Sequence, residues 1–171
     1  FIKRDGRPET LRRHIEESLA DLGMERIDLY YLHAPDPSVP LAESVGALAE
    51  AQAAGKIARV GVSNVNLDQL KTAMSTVRIV AVQNRYNPAD RGDEAVLDFT
   101  TENGIAFVPW GPLGANPMTH GAPLASGTAN GNLTPAQEAL RALLERAPNV
   151  LPIPGTTSLA HLAENVRSWA P

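Results

Sequence analysis

The sequence predicts an α/β fold of parallel βα units, and two observations carry that prediction. Short runs rich in β-branched and aromatic residues alternate with stretches whose apolar residues recur every three to four positions. The connections between them are short, as expected where helices cross back over strands laid parallel. With 171 residues the chain is long enough for one ordinary domain with a sizeable core, so a single domain over 1–171 is expected.

In chain order, residues 8–22 place Leu11, Ile15, Ser18, Leu19 and Leu22 on one helical face, with Arg12, Arg13, Glu16 and Glu17 opposite. Gly23 stands where a C-cap belongs. Residues 27–33 read as a strand that ends on His33. Ser38, Val39 and Pro40 are expected to cap a helix whose apolar face carries Leu41, Val45, Leu48 and Ala49 and which ends at Gly55. A strand over 57–62, a helix near 67–75, a strand over 79–83, a helix near 93–103 and a strand over 105–110 continue the alternation. Thr134 to Gln137 resembles a capping box with Pro135 at the first helical position, opening a helix to about Arg146. A fifth strand over 150–153 and a helix over 158–169 complete the pattern. Residues 115–132 have no period, are rich in Gly, Ser, Thr, Asn and Pro, and read as a flap over a site.

Composition narrows the function classes. Hydrophobic residues at 43% and charged residues at 20% match an ordinary globular chain and argue against disorder. A net charge of −4 without a basic block argues against a nucleic acid or an anionic membrane as partner. Cysteine is absent, which excludes disulfides and thiolate chemistry and suits a reducing cytoplasm, the expected location. No apolar run approaches the roughly 18 residues of a membrane span, and the first residues do not read as a signal peptide. His14, His33, His120 and His161 lack ligand spacing, so no metal site is expected.

In parallel βα folds, ligands gather at the carboxyl ends of the strands, where the loops converge. Those ends carry His33, then Ser63 and Asn64, then Gln83 and Asn84, then Trp110, then Gly155, Thr156 and Thr157 after Pro154. Taken singly, His33 could be structural, and Ser63, Asn64 and the glycine with hydroxyls before the last helix could be plain caps. As a set they offer paired amides for a carboxamide, a flat aromatic face, a polarising donor, and free amides suited to a phosphate. That set outlines a nicotinamide pocket.

The runs GKIARVGVSN (55–64), VQNRYN (82–87), FVPWGPLG (107–114) and LPIPGTTSLAHLAENV (151–166) resemble the aldo-keto reductase family in order and approximate spacing, from Glu9 to Trp169. The resemblance implies a (β/α)8 TIM barrel, present here as about five βα units that correspond to strands 4–8. It also implies NADP(H), with NAD(H) as the alternative, and a small-molecule carbonyl substrate reduced to an alcohol by hydride transfer. His33 falls on the histidine that orients and polarises the carbonyl. Ser63, Asn64 and Gln83 fall on the positions that hold the nicotinamide carboxamide, and Trp110 on the aromatic that stacks against the ring. Gly111, Leu113 and Gly114 lie in the loop that contacts the pyrophosphate. Gly155, Thr156 and Thr157 match the 2′-phosphate and ribose end, and His161, Glu164 and Asn165 the adenosine side. Many members carry lysine and arginine where Gly155 and His161 stand here.

The family's catalytic tyrosine and aspartate lie in the first quarter of its chain, ahead of the matched stretch. Lys3 either matches the family's lysine or is a plain exposed residue, because the usual threonine does not precede it. Tyr30, Tyr31 and Tyr86 fall outside the catalytic set, so these 171 residues are expected not to turn over by themselves. A second reading, a non-catalytic nucleotide-binding or interaction module on the same fold, stays open, as does the oligomeric state.

Overall fold

Proline in the first turn and glycine after the last bound α1 (Pro8–Leu22), with Gly23 at φ +62° returning its amide to the Ala20 carbonyl. Leu11, Ile15 and Leu19 are buried as the periodicity requires, while Leu22 stays exposed beside the cap. The computed structural model describes residues 4–114 and 133–169, and Lys3 and the flap expected over 115–132 lie outside the described residues. The chain divides into two units, Phe1–Gln83 and Asn84–Pro171.

In the first unit, β1 (Tyr30–Leu32), β2 (Val60–Ser63) and β3 (Ile79–Gln83) pair in parallel. Tyr30 stands opposite Val60, Leu32 opposite Val62, and Ser63 opposite Gln83. Every residue of β2 is buried, the mark of a central parallel strand covered on both faces. Gly61 is obligatory there, because a Cβ would stand 2.5 Å from the Tyr31 ring. α1 packs on α2 (Leu41–Ala53), which in turn covers β2 and α3 (Leu67–Met74). Val45, Leu48, Ile57, Val60, Val62 and Leu70 form the core, each such burial being worth about 1.5–3 kcal/mol. α3 opens on a reciprocal Asn66–Gln69 capping box.

The expected Ser38 cap on α2 is not made. The N-cap is Pro40, and the Ser38 hydroxyl instead donates to Asp36 Oδ1 at 2.6 Å. An aspartate two residues upstream offers a charged acceptor at turn distance and captures the hydroxyl first.

In the second unit, α4 (Glu94–Glu102), β4 (Ala106–Phe107), α5 (Pro135–Arg146) and α6 (Leu159–Arg167) follow. The core gathers around Tyr86 and Phe107, whose rings meet edge to face at 5.7 Å, with Leu97, Leu140 and Leu143. Arg146 of α5 pairs with both Glu94 and Asp98 of α4. The Thr134–Gln137 capping box forms as the motif predicts, with Pro135 beside it.

The fifth strand shrinks to one parallel bridge, Phe107 with Val150. Phe107 donates to the Asn149 carbonyl and Leu151 donates back to Phe107, each at 2.8 Å. The next rung needs an amide at 109, where proline supplies none, so the ladder stops and β4 stays two residues long.

Candidate functional site

Parallel register brings the carboxyl ends of β1, β2 and β3 side by side, and with them four of the residues singled out from the sequence. The Ser63 hydroxyl, fully buried, donates to the Gln83 carbonyl at 2.6 Å. Asn64 turns into the left-handed region at φ +57°, a conformation asparagine tolerates better than most side chains. From there its amide nitrogen donates to the His33 carbonyl at 2.9 Å and to Ser63 Oγ at 3.0 Å, and its backbone N–H donates to the Gln83 carbonyl at 3.1 Å. His33, Ser63, Asn64 and Gln83 are thus tied through one chain of hydrogen bonds, and the His33 ring is left at the exposed edge.

The turn after His33 is fastened as well. Asp36 accepts from the Ser38 hydroxyl and amide and, across 30 residues, from the Gly6 amide at 3.0 Å. Those bonds hold its carboxyl below the usual range, the Ser38 hydroxyl contributing most. The Gly6 carbonyl in turn accepts from the buried Ser44 hydroxyl at 2.6 Å. A side chain at residue 6 would press on Asp36 and Ser44, so glycine alone permits this approach. Sequence reasoning missed this clasp; the Pro-Asp-Pro-Ser turn was legible, but its distant partner was not.

In the second unit, Trp110 lies on the bridge to Arg85, donating to the Asn84 carbonyl at 2.9 Å. The Arg85 guanidinium stands 5.8 Å from the Trp110 ring centre and pairs with Asp90 at 3.0 Å. Gly111 and Gly114 both take positive φ, and the Gly114 amide closes the turn on the Gly111 carbonyl. Beneath, burial pushes the Asp93 carboxyl up against the opposing bond from Asn84. Glu94 is lowered, chiefly by the Tyr86 hydroxyl that donates to it at 2.6 Å.

A cavity of about 290 Å3 opens at the start of α6. Gly155, Thr156, His161, Glu164 and Asn165 line it, together with Leu113 of the glycine turn. Ala136 of α5 also lines it and was not foreseen, while Thr157 does not. α6 places the three helical members because Ser158 caps it, accepting from the His161 amide at 3.4 Å. Thr156 Oγ1 accepts from the Ser158 amide at 3.1 Å, and Thr134 donates its hydroxyl to Glu164. The Gln137 side-chain amide reaches the Glu164 carbonyl at 3.2 Å. The capping box of α5 therefore also fixes a wall of the cavity, a second use that the motif itself did not signal.

No helix among the described residues is long and apolar enough to cross a membrane. The family model of the Aldo/keto reductase family matches residues 1–171. Pyridoxine 4-dehydrogenase of Escherichia coli is 39% identical over 166 residues, covering 93% of this chain and 58% of that protein. An uncharacterized oxidoreductase of Schizosaccharomyces pombe is 38% identical over 164 residues, 95% of this chain and 54% of its own length. Among solved structures, a thermostable aldo-keto reductase in complex with the inhibitor epalrestat superposes with a TM-score of 0.82 at 34% identity, covering 95% of this chain and 61% of that one. An aldo-keto reductase of Klebsiella pneumoniae in complex with NADPH gives 0.79 at 30% identity, covering 92% and 58%. The chain spans a little over half the length of the relatives it matches. With parallel strands whose fold is that of part of a (β/α)8 barrel, and with a family match along its whole length, this chain belongs to the aldo/keto reductase family.

Proposed function

We propose that the protein is an NADP(H)-dependent oxidoreductase that reduces aldehyde or ketone carbonyls to alcohols, and that this chain carries most of its cofactor site. The observation that carries the reading is the knot of strand ends, in which Asn64 adopts φ +57° and is tied to the His33 carbonyl. A non-glycine residue held in the left-handed region by its neighbours is characteristic of functional sites. When bound, the cofactor supplies the hydride. His33 orients and polarises the carbonyl oxygen from the exposed edge, and Lys3, if it belongs to the set, tunes the proton donor. Ser63, Asn64 and Gln83 present amide and hydroxyl groups to a carboxamide, and Trp110 gives the ring a flat apolar wall.

Gly111, Leu113 and Gly114 form the turn assigned to the pyrophosphate. Gly155, Thr156, Thr157, His161, Glu164 and Asn165 take the 2′-phosphate, ribose and adenosine end. The cavity there fits that part of the assignment. Its volume of about 290 Å3 lies at the lower edge of small-ligand pockets, enough for one nucleoside end and too small for a dinucleotide.

Calorimetric titration with NADPH, followed by turnover of a panel of aldehydes and ketones by the full-length protein, tests the proposal. Saturable binding with consumption of NADPH is expected. Binding without turnover on any carbonyl favours the non-catalytic nucleotide-binding module, and absence of binding ends both readings.

A further inference from the structure

Residues 84–90 hold Trp110 through more bonds than a turn requires. Arg85 and Trp110 form a parallel bridge, the Trp110 amide donates to the Asn84 carbonyl at 2.9 Å, and the Tyr86 amide donates to the Trp110 carbonyl at 3.3 Å. The buried Asn87 side chain donates to the Gly111 carbonyl at 3.1 Å and accepts from the Ala89 amide at 3.0 Å. Asn87 and Asp90 exchange backbone bonds of 3.0 Å each, which fixes where Asp90 stands. Asp90 Oδ2 pairs with Arg85 Nε at 3.0 Å, and the guanidinium so held stands over the Trp110 ring, 5.8 Å from its centre. Both charged side chains are 41% exposed, and an ion pair in that position adds little to stability. A brace for the fold is therefore a poor account of Arg85.

We propose that Arg85 is a positioning residue that acts through Trp110, and that it makes the site favour the reduced nicotinamide ring over the oxidised one. The inference rests on the reading above in which Trp110 forms a wall for that ring. With a guanidinium over one face, a flat ring that stacks on Trp110 meets the indole on the other. The guanidinium draws the π electrons toward itself, so the opposite face attracts a cation less. The oxidised nicotinamide ring carries a positive charge; the reduced ring does not. The oxidised ring thus loses part of its attraction to the indole and meets a like charge beyond it. The reduced ring is held by dispersion and apolar contact, which a charge behind the indole leaves nearly unchanged. Asp90 tempers the effect, because its carboxylate offsets the guanidinium. The preference suits carbonyl reduction, in which the reduced cofactor has to bind and the oxidised one has to leave.

Titration calorimetry of the full-length protein with NADP+ and with NADPH, compared as the ratio of the two Kd values, tests the proposal. Arg85→Gln is expected to lower the ratio of the NADP+ Kd to the NADPH Kd about threefold, chiefly through tighter NADP+, with Tm close to that of the unmodified protein. Asp90→Asn, which keeps an oxygen for the Gly92 amide, is expected to raise the ratio about twofold. In Trp110→Leu both dinucleotides should bind more weakly, and adding Arg85→Gln there is expected to leave the ratio unchanged. A ratio that Arg85→Gln does not move, or moves as far in Trp110→Leu as in the unmodified protein, overturns the inference and leaves dinucleotide binding standing. If Trp110→Leu weakens neither dinucleotide, the stacking reading falls with it; if the unmodified protein binds neither, the proposed function falls as well.

Discussion

The two units hold their candidate residues by different means. In Phe1–Gln83 the candidate residues sit on adjacent, ladder-bonded strand ends and are tied to backbone carbonyls, Asn64 to His33 and Ser63 to Gln83. In Asn84–Pro171 the ladder toward Val150 has stopped at Pro109, and apart from Trp110, which is bridged to Arg85, the candidates lie on a glycine turn and at a helix start, shaped by the Thr134 and Ser158 caps. The difference teaches where rigidity is stored. Under the proposed function, the groups assigned to the reacting carbonyl are those held by sheet register, while the groups assigned to a remote part of the ligand are held by a cap and a short exposed turn.

The contrast can be broken most severely at Gly61. Gly61→Val would drive its side chain into the Tyr31 ring within the buried central strand, and a loss of about 1–3 kcal/mol is expected in urea unfolding. An unchanged midpoint would mean that the ladder is not the rigid part. Asn64→Ala comes next: it removes the side-chain bonds to His33 and Ser63 and leaves a strained φ, at a cost of about 1–2 kcal/mol. Asn64→Gly relieves the backbone and should recover part of that loss, so a glycine variant no better than alanine would show that the bonds alone matter.

In the second unit, Thr134→Ala is expected to cost about 1 kcal/mol in thermal unfolding, because it deletes the α5 cap. It also frees Glu164, so weaker nucleotide binding should accompany the lower Tm; stability lost with binding intact would detach the cap from the cavity wall.

The smallest effect is a pH dependence. The folded Asp36 carboxyl lies below its unfolded value, so its contribution is present above the ordinary carboxylate range and is lost as pH falls below that range through the lower folded value. Unfolding of the unmodified protein and of Asp36→Asn should therefore differ at neutral pH, with the gap narrowing as pH falls below the ordinary carboxylate range. A gap that widens in acid would contradict the assignment of these hydrogen bonds.

Helix ends were legible where the controlling chemistry is local. Pro8 and Gly23 bound α1, and Thr134 with Gln137 opens α5, because capping is decided by groups within four residues. Ser38 misled for the same reason in reverse, since Asp36 two residues earlier competes for its hydroxyl. The polar strand ends at His33, Ser63, Asn64 and Gln83 were also legible, as breaks in apolar runs. That residues 150–153 would make one bridge was not, since a strand's length depends on the donors of its partner, here Pro109.

The sequence by itself determined the alternation of elements, most of their bounds and the residue types at each strand end, because periodicity and caps are properties of neighbours along the chain. Tertiary structure alone decided that Asn64 reaches the His33 carbonyl 31 residues away, that Asp36 clasps Gly6, and that His161 and Glu164 line one cavity with Leu113. Those pairings follow from sheet register and from how α6 packs against α5, and both are settled by burial across the fold, to which no local stretch of sequence has access.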